Sequence, residues 1–167
     1  MHPRIAPTRA IGLFLAAGAM VLAALSASAQ SPQALQRWAG TWRLNVAKSK
    51  ANPGPQVRSN TTVITVTGKG LMAVSEVVDA QGQQNRVEQP AEFDGREHAL
   101  KGTAQPTART YKWIDDYAFE WVTKVKGQTT TTTRVQLSRD AKTMTLTTTG
   151  KNLEGQSVNN VTIFERQ

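Results

Sequence analysis

Gly40-Thr41-Trp42-Arg43-Leu44-Asn45 is the stretch on which the fold turns. Trp38, Gly40, Trp42 and Leu44 share one parity, so in an extended strand they share one face. A Gly two residues before a large indole lets another backbone come close, while the indole caps something apolar. The expectation is a sheet that closes onto this face.

Working outward, helical periodicity is nearly absent. One short turn fits Pro32 to Trp38, with Pro near its start. Beyond it, Thr and Val abound, and Gly or Asn/Asp punctuation recurs at the intervals of an all-β fold. Strand-like segments run Ala39–Val46, Arg58–Thr67, Leu71–Val78, Asn85–Phe93, His98–Thr103, Ala108–Ile114, Tyr117–Lys126, Thr129–Ser138, Thr143–Thr149 and Ser157–Glu165. Pro90 marks the fourth as an edge or a bulge. Short turns between consecutive strands predict an antiparallel up-and-down meander of about ten strands. Closure into a barrel is favoured over a two-sheet sandwich, because an open meander would leave edges free to pair with other chains.

The richest hairpin is Ala108–Ile114 with Tyr117–Lys126. Arg109, Tyr111 and Trp113 share one face, and Tyr117, Phe119 and Trp121 share a face of the partner strand. If that face points inward, a guanidinium lies beside an aromatic wall, which suits an anionic head with an apolar tail. The plainer reading is that these aromatics simply pack and Arg109 sits in water at a strand mouth.

His98 is the one histidine beyond residue 30 and lies near Asp94 and Glu97. One His without Cys is a thin ligand set, so a hydrogen-bonded structural role is expected and no metal site is assigned. Asp115-Asp116 reads as a hairpin turn. There is no nucleophile elbow, phosphate loop or dinucleotide fingerprint, so no catalytic residue and no cofactor are expected.

The N-terminus reads as a leader. Arg4 and Arg9 precede an uncharged run from Ala10 to Leu25, and Ala27-Ser28-Ala29 fits a cleavage site. Residues 1–29 are then a signal peptide and 30–167 a single domain, periplasmic or secreted, with no later segment long enough to span a membrane as a helix. Loss of Arg4 and Arg9 lowers the formal charge from +8 to +6. The remaining bases are scattered singly, which fits attraction to an anionic envelope surface and not nucleic-acid binding. Cys is absent, so stability rests on packing and strand pairing.

Gly40-Thr41-Trp42 resembles the G-x-W opening of the lipocalin and fatty-acid-binding superfamily of β-barrels, and Val161 to Arg166 resembles the closing strand of the fatty-acid-binding branch. The run from Gly40 to Ser49, Pro53-Gly54-Pro55, Asp140 to Thr145 and Gly155 to Val161 are similar to segments of a group of exported bacterial lipocalin-like proteins. The resemblance implies a calyx around an apolar cavity. In fatty-acid-binding proteins the last strand supplies an inward Arg and Tyr that hold a carboxylate. The matching positions here are Thr162 and Phe164, so that clamp is missing, and Val46 to Val57 is too short for the usual helical lid.

Together these readings predict a barrel that holds a small apolar or anionic amphipathic ligand. Its wall is expected to comprise Trp42, Tyr111, Trp113, Phe119, Trp121 and Phe164, with Arg109 as anchor. The alternative is a packed structural or interaction module of the cell envelope with no ligand. An enzyme is not expected.

Overall fold

A computed structural model describes residues 31–167. The expected leader and its cleavage site lie outside the described residues.

Ser31 caps a single helical turn, α1 (Pro32–Gln36), its hydroxyl accepting from the Ala34 N–H at 3.1 Å. Ten antiparallel strands follow: β1 (Gly40–Leu44), β2 (Ser59–Thr67), β3 (Gly70–Val78), β4 (Gln84–Glu92), β5 (Glu97–Ala99), β6 (Thr107–Asp115), β7 (Ala118–Val125), β8 (Gln128–Leu137), β9 (Thr143–Lys151) and β10 (Ser157–Arg166). The sheet order is β4-β3-β2-β1-β10-β9-β8-β7-β6-β5. It is an up-and-down meander, closed through β1 and β10, as the end motifs imply.

The barrel's seam therefore lies between β4 and β5. Among the described residues, one backbone bridge crosses it: the Glu88 N–H donates to the Lys101 carbonyl at 3.0 Å, and the Lys101 N–H to the Glu88 carbonyl at 3.1 Å. Two residues on, Pro90 has no N–H to extend that ladder. The barrel is nearly closed, and Pro90 is the edge marker it was read to be.

The interior follows strand parity. Ile64 is buried whereas its neighbour Val63 is exposed, which resolves the two-faced apolar pattern of β2. One end is plugged. Leu35, Trp38 and Trp42 are buried there, the last two with no exposed surface, and Trp113, Phe93 and Phe119 pack against them. The Trp38 and Phe119 ring centroids are 4.7 Å apart, edge to face. The Trp42 indole N–H donates to the Trp38 carbonyl at 2.9 Å.

Gly40 has a specific reason to be glycine. Its φ is +138°, and a Cβ there would lie 2.5 Å from Arg166 Nη1. What comes close is this side chain, not the backbone that the sequence suggests. The Arg166 guanidinium lies 4.3 Å over the Trp42 ring and donates to the carbonyls of Ala141, Ala39 and Arg37. It clips the end of the chain to the start of the barrel.

Candidate functional site

Above the plug the barrel is hollow, with a cavity of about 300 Å³. Its wall is graded in polarity. Toward the plug it is built from Ile64, Leu71, Ala91, Phe119, Val135, Met144 and Phe164. Toward the other end it carries Asn60, Thr62, Ser75, Gln89 and Arg109. The strand ladders set these levels. Phe164 pairs with Met144 and Met144 with Leu137 near the plug, whereas Arg109 pairs with Thr123 and Thr62 with Ser75 further up. A smaller hollow of about 210 Å³, between the β1–β2 loop and β10, shares Leu44, Val57 and Thr162 with the cavity. That loop, not a helical lid, borders the open end.

The polar residues form a hydrogen-bond chain across four strands. Arg109 Nη1 donates to Gln89 Oε1. Gln89 Nε2 donates to Ser75 Oγ at 3.1 Å, Ser75 Oγ meets Thr62 Oγ1 at 2.8 Å, and Thr62 Oγ1 donates to Asn60 Oδ1 at 3.0 Å. The direction of this chain is forced. A guanidinium only donates, so Gln89 must turn its oxygen to Arg109 and its nitrogen to Ser75. Thr62 spends its one hydrogen on Asn60, so Ser75 must donate to Thr62. The first link joins β6 to β4 across the seam, where backbone pairing is thinnest.

At the head of the chain, donors are left over. Arg109 Nε, the Tyr111 hydroxyl and Trp121 Nε1 have almost no accessible surface, and among the described residues none makes a hydrogen bond of good geometry, although the Tyr111 hydroxyl and the Arg109 guanidinium lie close enough to interact. All three residues line the cavity. The Arg109 guanidinium stacks 4.3 Å over the Trp121 ring, and the Tyr111 and Trp121 rings, register partners on β6 and β7, are 5.9 Å apart. Among the described residues, no carboxylate forms an ion pair with Arg109. Burial pushes the Arg109 guanidinium below its ordinary pKa, a shift that neighbouring Tyr111 opposes. Burial likewise pushes the Tyr111 hydroxyl up, and the Arg109 charge opposes that. Arginine nevertheless keeps its proton at neutral pH. The site thus places a cation without a carboxylate partner in the wall of an apolar chamber.

Arg109, Tyr111, Phe119, Trp121 and Phe164 all line this one cavity. Trp42 and Trp113 do not, and their place in the expected wall is corrected. Both point inward, but at the level of the plug, where Trp42 is sealed between Trp38 and Arg166 and Trp113 packs on Phe93 at 5.0 Å. Gln89, Ser75, Thr62 and Asn60 are site residues that the sequence reading passed over. The signal for Gln89 was present: it is the polar residue on the parity of Val87, Ala91 and Phe93.

His98 sits outside the cavity wall. Its Nε2 lies 2.8 Å from Asp94 Oδ1, and this hydrogen bond, more than any other interaction, holds the Asp94 carboxyl below its ordinary range. Glu92 completes a group whose donor atoms lie within 4.8 Å of one another, and which could hold a metal ion. Asp94 also accepts the Arg96 N–H at 2.9 Å, so the group already serves to tie the β4–β5 turn. Glu97, read as a neighbour of His98, pairs instead with Lys124.

The chain matches no protein-family model and no curated protein sequence. The likeness to the lipocalin and fatty-acid-binding superfamily accordingly stands on architecture: ten antiparallel up-and-down strands in a nearly closed barrel are consistent with that fold.

Proposed function

We propose that this barrel binds a small amphipathic molecule non-covalently, with its apolar part toward the plug and its polar head beside Arg109. The observation that carries the reading is the graded cavity. A volume of about 300 Å³ lies within the roughly 300–1,000 Å³ typical of ligand pockets, and a mostly apolar wall with a few convergent polar groups is the usual composition of one. A packed envelope module would have little use for a hollow of this size. The leader-like residues 1–29 add that the protein acts outside the cytoplasm, as a periplasmic or secreted carrier.

Tryptophan fluorescence tests the reading. Trp121 lines the cavity, so titration with decanol, an uncharged amphiphile, is expected to give a saturable change in emission. Ala73 also lines the cavity. The variant Ala73→Phe, which fills the chamber, is expected to weaken that response at least about tenfold. A response that never saturates, or one unaltered in Ala73→Phe, would leave the reading without support.

A further inference from the structure

Within that reading, on which this step rests, one residue decides what head group the cavity accepts. A buried arginine is ordinarily compensated by a carboxylate, because an unpaired charge away from water is costly. Arg109 is held by an amide instead. Gln89 Oε1 accepts from Arg109 Nη1 and fixes the guanidinium over the Trp121 ring, but it brings no negative charge. Arg109 itself keeps the Gln89 oxygen turned toward it, since reversing the amide would put its NH₂ against a group that can only donate, and the Gln89 nitrogen is left to donate to Ser75. Holding and neutralising are usually done by one acid. Here they are separated, and only the first is done by the protein.

The leftover donors belong to the same arrangement. Arg109 Nε, the Tyr111 hydroxyl and Trp121 Nε1 have no acceptor at good geometry among the described residues. All three atoms lie within the wall, so a head group reaches them only as the side chains around Arg109 shift. The three are donors of different kinds, one charged, one phenolic and one indole. What compensates the Arg109 charge is a head group that carries negative charge and exposes acceptor oxygens. A neutral hydroxyl head can fill one acceptor role but leaves the charge bare, and a cationic head meets Arg109 directly.

We infer that Gln89 is the specificity-determining residue of the cavity: by holding Arg109 with a neutral amide, it makes the ligand supply the counter-charge, so the barrel selects amphiphiles with an oxyanionic head. The carboxylate clamp of fatty-acid-binding proteins lies on the last strand, where this chain has Thr162 and Phe164. The present site is on β6 and β7, braced from β4. Because the Arg109–Gln89 bond spans the seam, a head group on Arg109 also braces β4 against β6.

The test is a head-group series of constant tail, decanoate, decyl sulfate, decanol and decyltrimethylammonium, titrated into protein spanning residues 30–167 at about pH 8, where the carboxylate is ionised. The expected order places decanoate and decyl sulfate at least about tenfold tighter than decanol, with the ammonium weakest, as charge-assisted hydrogen bonds in a buried site require. The variant Gln89→Glu supplies the missing charge within hydrogen-bond reach of Arg109. It is expected to remain folded, and its preference for decanoate over decanol, each measured on the variant itself, is expected to fall below about twofold. Slowed amide exchange along β4 on adding decanoate, but not decanol, is the accompanying sign of the braced seam. Equal binding of decanoate and decanol by the wild type would overturn the head-group inference and leave the amphiphile reading standing. Absence of saturable binding by any of the series would overturn both. Retention of the anionic preference in Gln89→Glu, or failure of that variant to fold although it gains an ion pair, would remove Gln89 from the role.

Discussion

Arg109→Met should make the protein more stable, not less. Three terms decide the sign. Removing the guanidinium gives up its stacking on Trp121, where the charge sits 4.3 Å from the ring centre, an attraction of ~1–2 kcal/mol for a poorly solvated pair. It also strands Gln89 Oε1, which costs ~1–3 kcal/mol if the oxygen finds nothing else. Against these stands the removal of a charge that has no carboxylate partner, and removing an uncompensated buried charge recovers several kcal/mol. The full interior penalty does not apply, because part of the side chain opens onto the cavity. Methionine keeps an unbranched stem, and its sulfur packs well on an indole. The balance is a gain of about 1 kcal/mol, read as a rise of roughly 0.5 M in the urea midpoint with an unchanged m-value. A loss of about 2 kcal/mol or more would refute the reasoning, since it would mean that the charge is already compensated in the fold.

Trp38→Ala removes the centre of the plug, a side chain with no exposed surface, and should cost ~3–5 kcal/mol in chemical denaturation. Gly40→Ala forces a Cβ within 2.5 Å of Arg166 Nη1 at a φ of +138°, and a loss of ~1–3 kcal/mol is expected. The same change in an Arg166→Ala background should cost less, because only the backbone strain remains. The Asp94 carboxyl lies below its ordinary value of 3.8 chiefly through its hydrogen bond to His98, so it stabilises the fold above that pH and the contribution fades as pH falls through the lower folded value. Asp94→Asn should therefore lower stability at neutral pH and flatten the acid limb below about pH 4, the variant and wild-type curves converging as pH falls.

Much of this molecule is legible one strand at a time. Alternation along β8 and β9 separates Val135, Leu137, Met144 and Leu146 from their polar neighbours, and the aromatic hairpin of β6 and β7 stands out because Tyr111, Trp113, Phe119 and Trp121 share a face. Parity states which side a residue faces, but not how far along the barrel axis it lies. That level depends on the stagger between strands, which no single strand records. Trp42 and Trp113 point inward as expected and yet belong to the plug, because β1 enters the barrel at its closed end and Trp113 lies on the plug side of Tyr111. The polar chain is hidden for a related reason. Gln89 and Arg109 meet across the seam, between strands that are not neighbours in sequence, and each looks isolated within its own strand. The seam itself is half-visible: Pro90 announces an edge, but only the pairing of β1 with β10 shows that this edge is where the barrel ends.

The most direct measurement of the central claim is an NMR titration of uniformly ¹⁵N-labelled protein spanning residues 30–167 with decanoate, following the indole N–H signals. Trp121 lines the cavity and its Nε1 has no partner among the described residues, whereas Trp42 Nε1 is committed to the Trp38 carbonyl at 2.9 Å inside the plug. The account predicts a saturable shift of the Trp121 indole and the Arg109 Nε–H signals with the Trp42 indole unmoved. Saturation that leaves Trp121 in place, or no saturable shift at all, would contradict it.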